Sequence, residues 1–467
     1  MKKNTDLLHG NILAALTRLA VPIMATSLVQ MAYNLTDMAW IGRVGSSAVA
    51  AVGAAGMYTW LSTGVVTLAR MGGQVKVAQL LGTGNKKEAA RFAGTAIELT
   101  IALGILYGLI MALFAGPLLG FFALPDQGTV DQARSYLMIA GGLILFSFLN
   151  QTLTGLFTAI GNSGPTFLAN CIGLAANMIL DPVLIFGVGP FPVLGAAGAA
   201  IATVTAQMIV TLSLVCFVRR DQVLFHQVRL KAKMEWHCVR PIAKIGFPAA
   251  VQNSVYCGIS MILTRFVASF GVTAVAVQRV GGQVESISWM AAEGFGAAIN
   301  AFVAQNYGGG KYDRVKKGYF CAAGLMTIWG FCTTSILVFL GEPIFRLFIT
   351  EPDVVPVGVD YLRILGYGQL LMCIELMTVG ALSGLGKTLR CSVISIILTS
   401  ARIPMAMFLG HTSLGLSGIW WALTISSTMK GIVFFINYLL VLKKMNVPTA
   451  LPDTGKCKKG VDEIDIL

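Results

Sequence analysis

Charge is scarce in this sequence. Only 12% of its 467 residues are Asp, Glu, Lys or Arg, while 56% are hydrophobic. A soluble globular domain carries about 25% charged residues, so that class is excluded. Histidine is scarcer still, with four copies that form no ligand-spaced cluster along the chain. The nine cysteines include no CxxC pair and fall mostly within apolar runs. They read as small buried hydrophobes rather than a disulfide framework or a metal site. A Walker A loop is missing as well, which excludes that route to ATP drive. Gly72-Gly73 and Gly82-Thr83-Gly84 read as turn or packing glycines, not phosphate cradles. No catalytic His, Ser or metal ligands gather at one depth, which argues against a membrane-embedded enzyme and for a chain without a cofactor.

What the chain does have is long apolar runs. Twelve are countable, at roughly 13–41, 47–81, 90–122, 132–160, 165–188, 195–218, 241–268, 273–307, 315–349, 356–386, 389–410 and 414–442. A membrane span needs about 20 residues, and the longer runs imply tilt, kinks or extension into water. The net charge of +13 follows the same plan. Basic residues gather at 2–3, 86–91, 219–240, 311–317, 387–390 and 443–459, whereas the alternate connections carry only Arg43, Arg134, Arg346 and Arg363. That alternation is the positive-inside pattern, so both termini are expected in the cytoplasm and nucleic acid is not expected as a partner. The first run is too long for a signal peptide and reads as an uncleaved first helix.

The longest internal hydrophilic stretch divides the spans six and six. The expected organisation is an N-terminal six-helix bundle at 1–218, a basic cytoplasmic linker at 219–240, a C-terminal six-helix bundle at 241–442 and a cytoplasmic tail at 443–467. The halves repeat. A shift of 226 pairs Pro22 with Pro248 and Gly45-Ser-Ser-Ala-Val-Ala with Gly271-Val-Thr-Ala-Val-Ala. It also pairs Val77-Ala-Gln-Leu-Leu-Gly-Thr-Gly with Val303-Ala-Gln-Asn-Tyr-Gly-Gly-Gly. A shift of 225 pairs Tyr136-Leu with Tyr361-Leu and Gly161 with Gly386. Six spans per repeat give both halves one orientation. The fold expected is therefore an all-α polytopic membrane protein, its twelve transmembrane helices in two bundles related by a pseudo-two-fold along the membrane normal. Bundles around a central cavity suit alternating access.

Acids inside spans are costly and usually functional. Asp37 sits in the first span, with Tyr33 and Asn34 a turn before it and Pro22 as a possible bend. In the fifth span Asn177 and Asp181 are one turn apart, followed by Pro182. Counting from the span ends puts both acids about 8–9 Å below the outer boundary and Thr203 of the sixth span about 12 Å deep. Together these residues make a proton or Na⁺ site in chemical type, because close carboxylates can share a proton and hard oxygens suit an alkali cation. Under the repeat Asp37 faces Leu263 and Asn177 faces Arg402, so one half alone carries the cluster. The other half has its own charges, among them Arg265, Arg279, Glu285, Glu293, Glu375 and Arg402. Glu375 falls opposite Asn150, which suggests either a cavity wall or pairing with an arginine.

The P-x14-D of the first span, the V-A-Q-L-L-G-T-G-N loop, and N-M-I-L-D-P-V-L-I-F-G followed by L-G-A-A-G-A-A-I-A-T resemble the multidrug and toxic compound extrusion (MATE) family. The resemblance implies export of amphipathic organic cations coupled to H⁺ or Na⁺ entry, across the plasma (bacterial inner) membrane, by a chain expected to be a monomer. It implies Pro22, Tyr33, Asp37, Asn177 and Asp181 as working residues. The family's sixth-span threonine spacing falls on Ala199, leaving Thr203 as the nearest hydroxyl. A second family branch uses acids in spans seven and ten, where this chain has Gln252, Asn253 and Glu375. With Asn150, these are candidates for the substrate cavity. The rival reading, a lipid-linked precursor flippase of the same superfold, predicts a more basic cavity and often extra helices.

Overall fold

The computed structural model describes residues 5–122, 126–188, 192–228, 235–348 and 351–445. Most of the tail expected at 443–467, from residue 446 on, lies outside the described residues. Among those described, nine helices are long and apolar enough to span a membrane, and two bent pairs add two more. The twelfth is Trp236–Ala268, also 33 residues long and 224 residues behind its counterpart at Ile12–Val44. Arg240, Lys244, Gln252, Asn253 and Arg265 dilute its hydropathy without shortening it.

In order, the spans are α1 Ile12–Val44, α2 Ser46–Gly82, α3 Lys86–Leu113, the bent α4, α5 Gly164–Phe186 and α6 Gly195–Arg220. The second set is α7 Trp236–Ala268, α8 Val272–Gly308, α9 Tyr312–Phe339, the bent α10, α11 Thr388–Gly410 and α12 Leu416–Met445. α4 joins Gln127–Tyr136 to Leu145–Ala159 through a π turn at Leu137–Gly141, with a bend of 42°. α10 joins Val355–Gly366 to Gln369–Gly384 with a bend of 47°. The repeat read from sequence recurs in the element boundaries. α8 and α9 each begin and end 226 residues after α2 and α3. Gly45 and Gly271 enter α2 and α8 at φ 141° and 104°, a region that an L side chain rarely adopts, so both copies need glycine there.

The bundles meet tightly at the end that carries the linker. There α2 packs on α7 and α8 almost backbone to backbone. A methyl group at Gly246 would strike the Leu68 carbonyl, and one at Gly72 would strike that of Ile242. Small residues allow such an approach between helices in lipid, where packing and interhelical hydrogen bonds replace the hydrophobic drive. Gln74 donates to Asn300 at 3.1 Å, Gln79 to the Gly384 carbonyl at 3.0 Å and Gln305 to the Ala159 carbonyl at 2.6 Å. Each is worth about 0.6–2 kcal/mol in a membrane. Arg314 adds a strap, donating to the carbonyls of Leu7, His9 and Gly10 at 2.8–3.2 Å. Toward the other end, a methyl at Gly53, Gly56 or Gly258 would meet nothing within 4 Å. The bundles are thus packed closely at the linker face, while these three glycines at the other end face open space. α1 is the seam. It packs on α5 of its own bundle and on α8 of the other, with Met31 against Ser286 at 3.7 Å and Met38 against Arg279 at 3.6 Å.

Candidate functional site

Helical pitch brings the acids together. On α1, Tyr33 and Asp37 are four residues apart and turn toward α5, where Asn177 and Asp181 repeat that spacing. Asn177 and Asp181 are fully buried, and the Asn177 amide donates to Asp181 Oδ1 at 3.0 Å. The two carboxylates lie close enough for the charge of Asp37 to act on Asp181. Thr203 of α6 sits against the phenols of Tyr33 and Tyr136. Five buried oxygens in this cluster have no hydrogen-bond partner: Tyr33 Oη, Asp37 Oδ1, Asn177 Oδ1, Asp181 Oδ2 and Thr203 Oγ1. Leaving a buried acceptor unmet costs about 1–3 kcal/mol, and more when it is charged. Among the described residues no salt bridge reaches either carboxylate. The set is all hard oxygen and net acidic, which is the chemistry of a proton or small-cation site.

Other residues singled out in the sequence lie elsewhere. Asn34 is exposed and accepts from Gln30 at 3.4 Å, because 100° per residue swings it away from Tyr33. Asn150 is buried in a hydrogen-bond network of α4 and α6, donating to Gln207 Oε1 at 2.7 Å and accepting from Thr211 at 2.8 Å. A small, mainly apolar crevice lined by Val29, Leu174 and Val210 with Gln30, Tyr33, Asn170 and Gln207 shares Gln207 with that network and Tyr33 with the acids. Asn253 reaches Thr63 across the bundle interface at 3.4 Å, and Gln252 is half-buried beside it. Pro22 lies inside the continuous α1, where the carbonyls of Leu19 and Pro22 take hydroxyls from Ser163 and Thr26, each at 2.8 Å. Tyr136 escaped the sequence reading as a site residue. Its signal was its repeat partner Tyr361, and the π turn that follows it sets its direction.

Comparison with known proteins assigns the family. The MatE family profile matches residues 22–183 and 248–408, one copy in each bundle. The chain belongs to the MatE family. It is therefore a multi-pass membrane transporter and not an enzyme. It is 28% identical over 432 residues to a probable multidrug resistance protein NorM of Thermotoga maritima, covering 90% of this chain and 92% of that one. A Shewanella oneidensis FAD transporter is 26% identical, over 96% of this chain and 99% of its own. Among solved structures, the outward-facing conformation of a multidrug resistance MATE family transporter superposes with a TM-score of 0.87 at 21% identity, over 96% and 99% of the two chains.

The C-terminal bundle of this MATE transporter handles charge differently. Glu375 of α10 does not pair with an arginine. It meets Lys430 of α12 at 2.8 Å, with both side chains 7% exposed. Lys430 was missed because a lone lysine in the middle of the last span names no partner until the helices are packed. Glu285 of α8 accepts from Gln369 at 3.1 Å. Arg402, at the position that repeats Asn177, donates to Ser426 at 3.2 Å and Ser427 at 2.9 Å and lies over the ring of Tyr256 at 5.9 Å. It is also near enough to act on Glu285 and Lys430.

Proposed function

We propose that this MATE transporter exports amphipathic organic cations from the cytoplasm across the bacterial-type plasma membrane, driven by H⁺ or Na⁺ entering at Asp37, Asn177, Asp181, Tyr33 and Thr203. The observation that carries the reading is the set of five unpartnered oxygens around two uncompensated buried carboxylates. A proton or sodium ion satisfies both the charge and the open lone pairs. The multidrug relatives supply the substrate class, and the positive-inside pattern of the loops supports a cytoplasmic linker and cytoplasmic termini.

Coupling follows from geometry. Ion binding rearranges the contacts of α1 with α5, and α1 is also the seam with the other bundle. Pro22 supplies a weak point about 22 Å along the helix from Asp37, fifteen residues at 1.5 Å each. A straighter and a more bent α1 present different oxygen sets, and only such a difference in affinity lets the ion bias the equilibrium. The expected outcome of bending is to squeeze substrate from the N-terminal wall of the cavity. The deciding experiment imposes ΔpH and ΔpNa separately on proteoliposomes while cationic dye export is followed. One of the two gradients drives export by the wild type, and Asp37→Asn responds to neither. Export by Asp37→Asn at the wild-type rate would overturn the site.

A second reading, export of an amphipathic anion, draws on the FAD-transporting relative and on Arg402 beside the C-terminal acids. Competition between a cationic dye and FAD in the same vesicles separates the two.

A further inference from the structure

One cluster outside the ion site joins the two bundles at their linker face. Glu88 begins α3, and His237 and Cys238 begin α7. Their ligand atoms all lie within 4.8 Å of one another. His237 Nε2 is 3.4 Å from Glu88 Oε1 and 3.3 Å from Cys238 Sγ. The two separations from His237 match those between ligands of one tetrahedral ion, and the third, between Glu88 and Cys238, is at most 4.8 Å. Bonds of about 2.0–2.1 Å to N and O and about 2.3 Å to S put the ligand atoms roughly 3.4–3.6 Å apart. Neighbouring residues on a helix normally diverge, so the convergence of His237 and Cys238 on one point is a local feature of this first turn.

The outer contacts point the same way. The second imidazole nitrogen, Nδ1, faces Glu235 Oε2 at 3.7 Å, an arrangement that orients a ligating histidine. The free oxygen of Glu88, Oε2, takes Arg91 at 3.2 Å, which leaves Oε1 turned to the cluster. Cys238 is fully buried, while His237 is 58% exposed on its side chain and Glu88 26% exposed, so an ion can enter past the imidazole. Thiolate, carboxylate and neutral imidazole carry a charge of −2, which balances a divalent ion and leaves a fourth position for water. The soft sulfur and the imidazole disfavour Mg²⁺ and Ca²⁺ and favour Zn²⁺ and its neighbours. Read along the sequence, the histidines looked too scattered for a metal cluster; folding brings Glu88 across 149 residues to His237.

We propose that Glu88, His237 and Cys238 form a regulatory transition-metal site, Zn²⁺ being the ion it suits best, which pins α3 to α7 and holds the bundles closed at the linker face. The clamp rests on the transporter reading, because alternating access must part α3 from α7; the metal site itself does not. Once bound, the ion stabilises the conformation closed at the linker face and slows turnover.

The test uses the full chain. In detergent micelles, Co²⁺ is titrated and the thiolate-to-metal absorption is followed, with Zn²⁺ then displacing it. The wild type is expected to bind one ion with that sulfur signature. His237→Ala, an exposed position that leaves folding intact, and Glu88→Gln are expected to bind at least about tenfold more weakly. Cys238→Ser is expected to lose the signature. In proteoliposomes, Zn²⁺ is expected to slow export by the wild type, EDTA to restore it, and His237→Ala to export at the metal-free rate throughout. Equal Co²⁺ binding and absorption in wild type and His237→Ala would overturn the site and mean adventitious metal on other cysteines. Site-specific binding with no change in export would overturn the clamp.

Discussion

The two bundles began as one design and now treat buried charge in opposite ways. In the N-terminal bundle, Asp37 and Asp181 face an amide, a hydroxyl and two phenols, with no salt bridge among the described residues. In the C-terminal bundle, Glu375 has Lys430, Glu285 has Gln369 and lies within reach of Arg402, and Arg402 is held by two serines. The broken fourth helix of each repeat sets a tyrosine against carboxylates, Tyr136 near Asp37 and Asp181, and Tyr361 near Glu285. Where the first copy has Asn177 hydrogen-bonded to Asp181, the second carries a cation of its own at Arg402. An exchangeable ion needs a site whose charge the protein leaves unmet. On the function proposed above, the C-terminal bundle, where Lys430 pairs with Glu375 and Arg402 lies near Glu285, is not where the ion binds.

That contrast can be broken at several places. The largest expected effect is at Asp37 and Asp181. Asp37→Asn or Asp181→Asn should reduce coupled export to background while the protein inserts and unfolds normally, as read by gradient-driven dye export and by thermal melting in detergent. In the C-terminal bundle the order of effects reverses. Glu375→Gln strands Lys430, and removing one partner of a buried pair costs about 3–5 kcal/mol. Melting should fall sharply, and Glu375→Gln combined with Lys430→Met should recover most of the loss. Its export defect should vary with substrate and stay smaller than that of Asp37→Asn.

Pro22→Ala should slow turnover severalfold while ion and substrate binding persist. Spin labels on α1 and α5 should then show one distance population where the wild type shows two across pH and Na⁺. Thr203→Ala removes one of the five oxygens and should weaken ion affinity about fivefold to tenfold, the equivalent of one hydrogen bond at about 1 kcal/mol or slightly more. Isothermal titration, or proton release monitored by a dye, reads that change.

Much of this was legible before the fold was known. Apolar run length and loop charge marked the spans, and the constant offset of 226 marked the repeat that α2 and α8 reproduce at both ends. The four-residue spacing of Asn177 and Asp181 was enough to place both on one helix face. What sequence does not carry is contact across helices. Tyr136 depends on a π turn that hydrophobic periodicity cannot register, and Lys430 acquires meaning only once α10 lies beside α12. Asn34 shows the opposite failure. It stands near Asp37 in sequence, yet helix pitch turns it to Gln30. The break in α10 was invisible because its two halves are similarly apolar, and the polar first half of α4, Gln127–Tyr136, reads mostly as a connection rather than as part of a bent span.

We propose that ion coupling belongs to the N-terminal bundle alone. It is tested most directly by measuring ion uptake by the purified protein, as ²²Na⁺ binding and as proton exchange, in two double variants. Asp37→Asn with Asp181→Asn should abolish uptake of the coupling ion, whereas Glu285→Gln with Glu375→Gln should leave its stoichiometry unchanged in the fraction that remains folded. Uptake that survives in the first variant, or disappears in the folded fraction of the second, would contradict it.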